Sequence, residues 1–370
     1  MPSRGAENGL RYFATDYFAA RDSFSQLAAR QAAWTQRCPI QAPSIAGKEL
    51  TLDAAYYGAP SPARLVIISS GIHGAEGFAG SALQQQLINE LRAMPPLPSG
   101  GGLLLIHAIN PYGFAHLRRV NENNVDLNRN CLAQFPGPVN SAYGTFDPLL
   151  NPTSPPSQDL FKAKLIWAGI RHGMRAGKRA IASGQYAFAK GLFYGGIERQ
   201  ESITIFEQLL RRASAENTRQ VLHIDLHTGL GHYGHYKLLT DLPEGAHELQ
   251  QLQKWFGADK VITSQTKNTS VYPAFGDIGE LTQAGFDHCR VYPVTLEFGT
   301  YSLWHTLAML RAENRLHYYG TIDSAAGHKI KADFQETFCP ADPGWRLAIL
   351  ERGGKVLRQA IHCGFKSHSS

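Results

Sequence analysis

Two short runs of the chain hold residue types that bind metal ions. "GIHGAEG" (71–77) places His73 and Glu76 three apart, and "HIDLHTGLGHYG" (223–234) contains His223, Asp225 and His227. A histidine and a carboxylate three apart on a glycine-flanked turn can hold one ion together, and the glycines leave room for a substrate. His227 can supply a third ligand. Two histidines and a glutamate leave a fourth position open for water, the pattern of catalytic zinc. On a strand, residues 223, 225 and 227 share a face. Asp225 is then placed either to orient a ligand histidine or to make a structural hydrogen bond to a neighbouring loop. His223 reads as a hydrogen-bonded core histidine.

Two further runs offer other chemistry. In "VYPVTLEFGT" (291–300), Glu297 shares a face with Thr295 and Gly299 on an otherwise apolar strand. A lone carboxylate there is costly to bury unless it is paired or functional. A general base beside a metal site is the stronger reading, and a structural ion pair is the alternative. "NPYGFAHLRRVNENNVDLNRN" (110–130) gathers Arg118, Arg119, Asn128 and Arg129 in one loop. Arginine suits a bidentate grip on a carboxylate, or stabilisation of a developing oxyanion. A solvated basic loop is the plainer alternative.

Gly229, Gly231 and Gly234 also spell G-x-G-x-x-G. A dinucleotide loop must open a helix whose N-terminus receives the pyrophosphate. Here "HYKLLTDLP" follows, which reads as a short strand before a turn, so the nucleotide reading is set aside. Neither a G-x-x-x-x-G-K-[ST] loop nor a G-x-S-x-G elbow occurs.

These residues need elements to position them. "RLVIISS" (64–70), "LLLIHAIN" (103–110), "VLHIDL" (221–226) and "RVYPVTLEF" (290–298) read as buried strands. Helical periodicity appears over 78–93, 202–216, 245–256 and 302–318, and a final helix over 340–364. Apolar strands alternating with helices indicate an α/β fold. His73, His227 and Glu297 then fall at the carboxyl ends of strands, where open α/β sheets build their sites. Residues 132–158, rich in Pro, Ser and Asn, read as a long loop. Residues 159–182 read as a helix with Arg171, Arg175 and Arg179 on one face and Gly169, Gly173 and Gly177 on another. A solvated basic face backed by a close helix contact is one reading of it, and a cover over the site is the other. The expectation is one domain over 1–370 with a loop-and-helix insertion at about 132–200.

Composition narrows the class. With 370 residues, 43% hydrophobic and 18% charged, the chain resembles an ordinary globular protein. Its five cysteines, Cys38, Cys131, Cys289, Cys339 and Cys363, are scattered and form no C-x-x-C pair. That argues against a disulfide framework and for a reducing compartment, so a cytoplasmic location is expected. No apolar run reads as a secretory signal or a membrane span. The net charge of +6 falls well short of a nucleic-acid-binding signature. Neither nucleic acid nor membrane is expected as a partner.

In their order, "GIHGAEG", "NPYGF…RRVNENNVDLNRN", "DLHTG" and "TLEFGT" resemble the zinc carboxypeptidase superfamily, which includes the aspartoacylase and succinylglutamate desuccinylase branch. The similarity is greatest to a poorly characterised bacterial branch, which "GQYAFAKGLFYGG" (184–196) also resembles. The resemblance implies an α/β fold with a mixed, mostly parallel eight-stranded sheet flanked by helices. It implies one zinc ion per chain on His73, Glu76 and His227, with Glu297 as general base. It also implies Arg119 polarising the scissile carbonyl, and Asn128 with Arg129 holding the substrate's free carboxylate. Two features depart from the pattern. Asn130 and Cys131 follow the Asn-Arg pair where an aromatic is common. The carboxypeptidases proper carry a mobile tyrosine upstream of the base, for which Tyr272 is the candidate. The activity implied is hydrolysis of an amide in a small peptide or acylated amino acid with a free carboxylate. An N-acyl amino acid deacylase and a non-catalytic carboxylate-binding module are the alternatives.

Overall fold

The computed structural model describes residues 9–173, 177, 181–264 and 274–366. Eight strands form one mixed sheet: β1 (Trp34–Pro39), β2 (Thr51–Gly58), β3 (Arg64–Ser70), β4 (Gly101–His107), β5 (Gln220–Tyr233), β6 (Tyr236–Thr240), β7 (Val261–Thr263) and β8 (Arg290–Gly299). Their order across the sheet is β1-β2-β4-β3-β5-β8-β6-β7. The central neighbours β4, β3, β5 and β8 run parallel, and so do β6 and β7 at one edge. Antiparallel pairs join β1 to β2, β2 to β4 and β6 to β8. The sheet is therefore mixed with more parallel than antiparallel pairings, as expected.

β3 and β4 are buried almost end to end because helices cover both faces of the sheet. Their sequences run apolar without alternation for that reason. The Gly77–Leu91 and Pro343–Gly364 helices pack on each other and on β3 and β5, while the Glu201–Ala213 helix packs on β2 and β4. That last helix buries Ile203, Phe206, Leu209, Leu210 and Ala213, a stripe with helical period. β2 was not expected: all of "TLDAAYY" is buried, so it shows neither strand alternation nor a strongly β-branched run.

The insertion differs from its expectation. Within the expected loop 132–158, Tyr143–Leu150 is a helix with Pro148 inside it. The expected helix over 159–182 runs from Phe161 to His172, breaks at Gly173, whose φ is +90°, and the described residues Gly177, Ile181 and Ala182 beyond it are again helical. Arg175 and Arg179 lie outside the described residues. The insertion builds a second apolar cluster apart from the sheet core, joining Tyr143, Phe146, Leu150, Phe161 and Leu165 to Leu307, Leu310, Phe334 and Phe338. Among the described residues, no helix is long and apolar enough to cross a membrane.

Candidate metal centre

β3 ends at Ser70, and Gly71, at φ +67°, turns the chain away from the sheet. His73 follows, then a single 3₁₀ turn over Gly74–Glu76. A Cβ on Gly74 would stand 2.0 Å from the carbonyl carbon of Gly113. The absent side chain thus lets this turn sit directly on the one that opens the arginine loop. The amides of Gly74 and Ala75 donate to the carbonyls of Arg119 and Arg118 at 3.2 and 3.0 Å. β5 delivers His227, and parallel register sets it beside Glu297 on β8 and Asp225 beside Ser69 on β3.

The structure brings His73, Glu76 and His227 together. One ligand atom from each lies within 4.8 Å of the others, and all three side chains are buried. His73 Nδ1 faces Glu76 Oε1 at 2.9 Å, and His227 Nδ1 faces Glu76 Oε2 at 3.1 Å. The other nitrogens also face carboxylates: His73 Nε2 lies 3.2 Å from Asp126 Oδ1, and His227 Nε2 contacts Asp225 Oδ2. A neutral imidazole has a single N–H. When Nε2 donates to its aspartate, each Nδ1 directs a lone pair at Glu76, and three acceptors meet at one point. A divalent cation resolves that conflict, and carboxylates behind ligand histidines are how such rings are oriented. The donor set therefore fits zinc.

The same groups shape one another's titration. Burial alone would raise Glu76, but His73 and His227 outweigh it and hold the carboxyl far below its ordinary range. Asp126 is likewise held well below, with Arg119 and His73 outweighing burial. Glu297 moves the other way. Burial and the charge of Glu76 push it up to about 7. Its Oε1 accepts from the amide of Leu230 at 2.8 Å.

Arg119, not Arg118, reaches this point. Its Nε donates to Asp126 Oδ2 at 3.0 Å, and its Nη1 lies 3.5 Å from Glu76 Oε1. Arg118 turns away to Glu313. Asn128 and Arg129 lie on a 3₁₀ turn capped by Asp126. The Oδ1 of Asn128 accepts from the Ile278 amide at 3.0 Å. The buried Arg129 donates from Nη1 to Asn128 O at 2.7 Å and from Nη2 to Ala182 O at 2.8 Å, while its Nε has no protein partner among the described residues. His223 stands outside the ligand group, with Nε2 2.8 Å from Ser69 Oγ and Nδ1 2.8 Å from Thr282 Oγ1. Tyr272 lies outside the described residues.

All seven candidates, His73, Glu76, Arg119, Asn128, Arg129, His227 and Glu297, line one cavity of about 410 Å³. Sequence reasoning passed over Asp126, which touches both His73 and Arg119. Its only signal was an acid two residues before Asn128. It also passed over the cavity's walls, which include Asp241, Asp277 and Glu280 and apolar residues of the insertion. The three G-x-G-x-x-G glycines have positive φ and lie on the projecting end of β5 and the turn into β6. No helix follows them.

A family model described as "Protein of unknown function (DUF2817)" matches residues 13–352. The chain belongs to this family. Among solved structures, this DUF2817 protein is similar to a metallo-carboxypeptidase from Pseudomonas aeruginosa in complex with (2-guanidinoethylmercapto)succinic acid. That pair is 15% identical with a TM-score of 0.41, covering 90% of this chain and 69% of the other. Carboxypeptidase A from Helicoverpa armigera is 14% identical with a TM-score of 0.42, covering 86% and 73%. A succinylglutamate desuccinylase/aspartoacylase family protein from Shewanella amazonensis is 20% identical with a TM-score of 0.36, covering 77% and 72%. No curated protein matches the chain.

Proposed function

We propose that this DUF2817 protein is a zinc-dependent amide hydrolase of carboxypeptidase type, acting on a peptide or acylated amino acid with a free carboxylate. One observation carries the reading: His73, Glu76 and His227 turn acceptor atoms on one buried point, and Glu297 sits opposite His227 on the adjoining strand. Zinc held there by these three side chains supplies Lewis acidity and acidifies a coordinated water. Asp126 and Asp225 hold the two imidazoles in the tautomer that frees Nδ1. Glu297 takes a proton from the attacking water and returns it to the leaving amine. Arg119 stabilises the negative charge that develops on the carbonyl oxygen. Asn128 and Arg129 hold the substrate's carboxylate. Support for that last role is that Arg129 is buried and donates only to backbone carbonyls among the described residues. Its guanidinium makes no ion pair among the described residues, which leaves it able to take an anionic partner.

The test is metal content and turnover together, for wild type and Glu76→Ala. Purified wild-type protein should hold about one zinc per chain. It should release either a C-terminal residue from peptides or an acyl group from acyl amino acids. Glu76→Ala should lose both metal and turnover. Wild-type protein that takes up no metal when zinc is supplied overturns the proposal.

A further inference from the structure

The cavity lining is of two kinds. Asn128 and Arg129 line it together with Thr240, Asp241, Asp277 and Glu280. Phe146, Leu165, Phe193, Leu307, Leu310 and Phe338 line the same space. These six are buried and belong to the cluster that the insertion builds against the Leu303–Tyr319 and Ala325–Phe338 helices. The wall they form reaches the reacting groups. Arg119 Cζ stands 5.5 Å from the centre of the Phe193 ring. Thr228, next to the metal ligand His227, donates its hydroxyl to the Phe338 carbonyl at 2.5 Å. A Cβ on Gly229 would lie 3.6 Å from the Phe338 ring and 3.7 Å from Glu297 Oε1. The glycine therefore keeps open the gap between the base and the apolar wall.

A substrate anchored by its carboxylate at Arg129, with its amide carbonyl between Arg119 and Glu297, meets that wall beside its scissile amide, at Phe193 and Phe338. Water beside six apolar side chains gains little by staying, whereas methylene groups placed there leave water favourably. We infer that the substrates are N-acyl amino acids whose acyl group is an apolar chain, longer than acetyl and without a charged terminus. This rests on the amide-hydrolase reading and adds the acyl side to it.

The test uses zinc-supplied, full-length wild-type protein and N-acyl glycines from acetyl through butanoyl and hexanoyl to octanoyl. A parallel series keeps the acetyl group and varies the amino acid. In the first series, kcat/KM should rise up to about fourfold per methylene until the apolar wall is covered. The second series should show a weaker dependence. Calorimetric binding of octanoate and acetate to metal-free protein gives a readout independent of turnover. Octanoate should bind and acetate should not, and Leu310→Trp should weaken octanoate at least tenfold. Should that variant misfold, the wild-type length series decides the question unaided. Turnover that is flat with acyl length, or steeper with the amino acid, overturns the apolar acyl site while leaving the hydrolase standing. Octanoate binding without turnover of any amide leaves the site standing and overturns the hydrolase. Neither turnover nor octanoate binding overturns both.

Discussion

Arg118 and Arg119 are neighbours in the chain and enter opposite kinds of ion cluster. Arg118 is buried against Glu313, with Nε to Oε1 at 2.9 Å, and its Nη2 donates to Asn124 at 3.0 Å. Lys331 donates to the same Glu313 oxygen at 2.7 Å and to the carbonyls of His116 and Leu117. Donors meet acceptors there, although Nη1 of Arg118 has no protein partner among the described residues. Around Arg119 the aspartates are matched by donors, but Glu76 and the two Nδ1 atoms that face it are acceptors turned on one another. A cluster that closes on itself acts as a structural fastener between the arginine loop and the helices at 303–319 and 325–338. A cluster that converges on an unmatched centre can receive a cation. Burial alone does not separate the two; the direction of the donors does.

The largest expected effect tests the closed side. Glu313→Ala leaves buried Arg118 and half-buried Lys331 without their anion and should cost about 3–5 kcal/mol of stability, read by denaturant unfolding. Zinc content and turnover per folded molecule should not change. A loss no greater than that of a surface substitution, or a loss of zinc, breaks the distinction. On the open side, Arg119→Ala should lower kcat per folded molecule by about 10²–10³-fold with metal retained, and it should also lower the unfolding midpoint, because buried Asp126 loses its ion-pair partner. Full activity in that variant would remove Arg119 from the chemistry. Asp126→Asn keeps an acceptor for His73 but removes its charge. Zinc affinity, measured by chelator competition, should fall about 10–100-fold. Unaltered affinity would reduce Asp126 to a cap on the Leu127–Arg129 turn.

The open cluster was more legible in the sequence than the closed one. His73, His227 and Glu297 each stand at or just past the end of an apolar strand, so strand patterning alone sets them along one edge of the sheet. Their turns also carry glycines, and the motif order matches a known pattern. Asp126 is different. It meets His73 across 53 residues of chain, and no periodicity links a loop aspartate to a histidine that far away. The choice between Arg118 and Arg119 was equally hidden, since an irregular loop has no repeat to say which side chain faces inward. Glu313 reads as one polar residue in a long helix, and its burial depends on two cations supplied by separate segments. The apolar lining of the cavity was obscured by composition. The Pro- and Ser-rich stretch that reads as loop contains the Tyr143–Leu150 helix, whose apolar side becomes wall only once the Leu303–Tyr319 helix is packed near it.

The smallest effect sharpens the comparison by pH. Burial alone would raise Glu313, but Arg118 and Lys331 outweigh it and hold its carboxyl below the ordinary value of 4.5. A folded carboxyl with a depressed pKa binds its proton less readily than the unfolded chain does. Its stabilisation is complete above the unfolded value and is lost as pH falls through the folded one. The stability gap between wild type and Glu313→Ala should therefore be full near pH 7, begin to close below about pH 4.5, and keep narrowing toward pH 3. In that window the slope should approach, at most, about 1.4 kcal/mol per pH unit. A gap that stays constant over the whole range would mean that Glu313 acts by packing volume, with its charge idle. The difference between the two arginines would then rest on the open cluster alone.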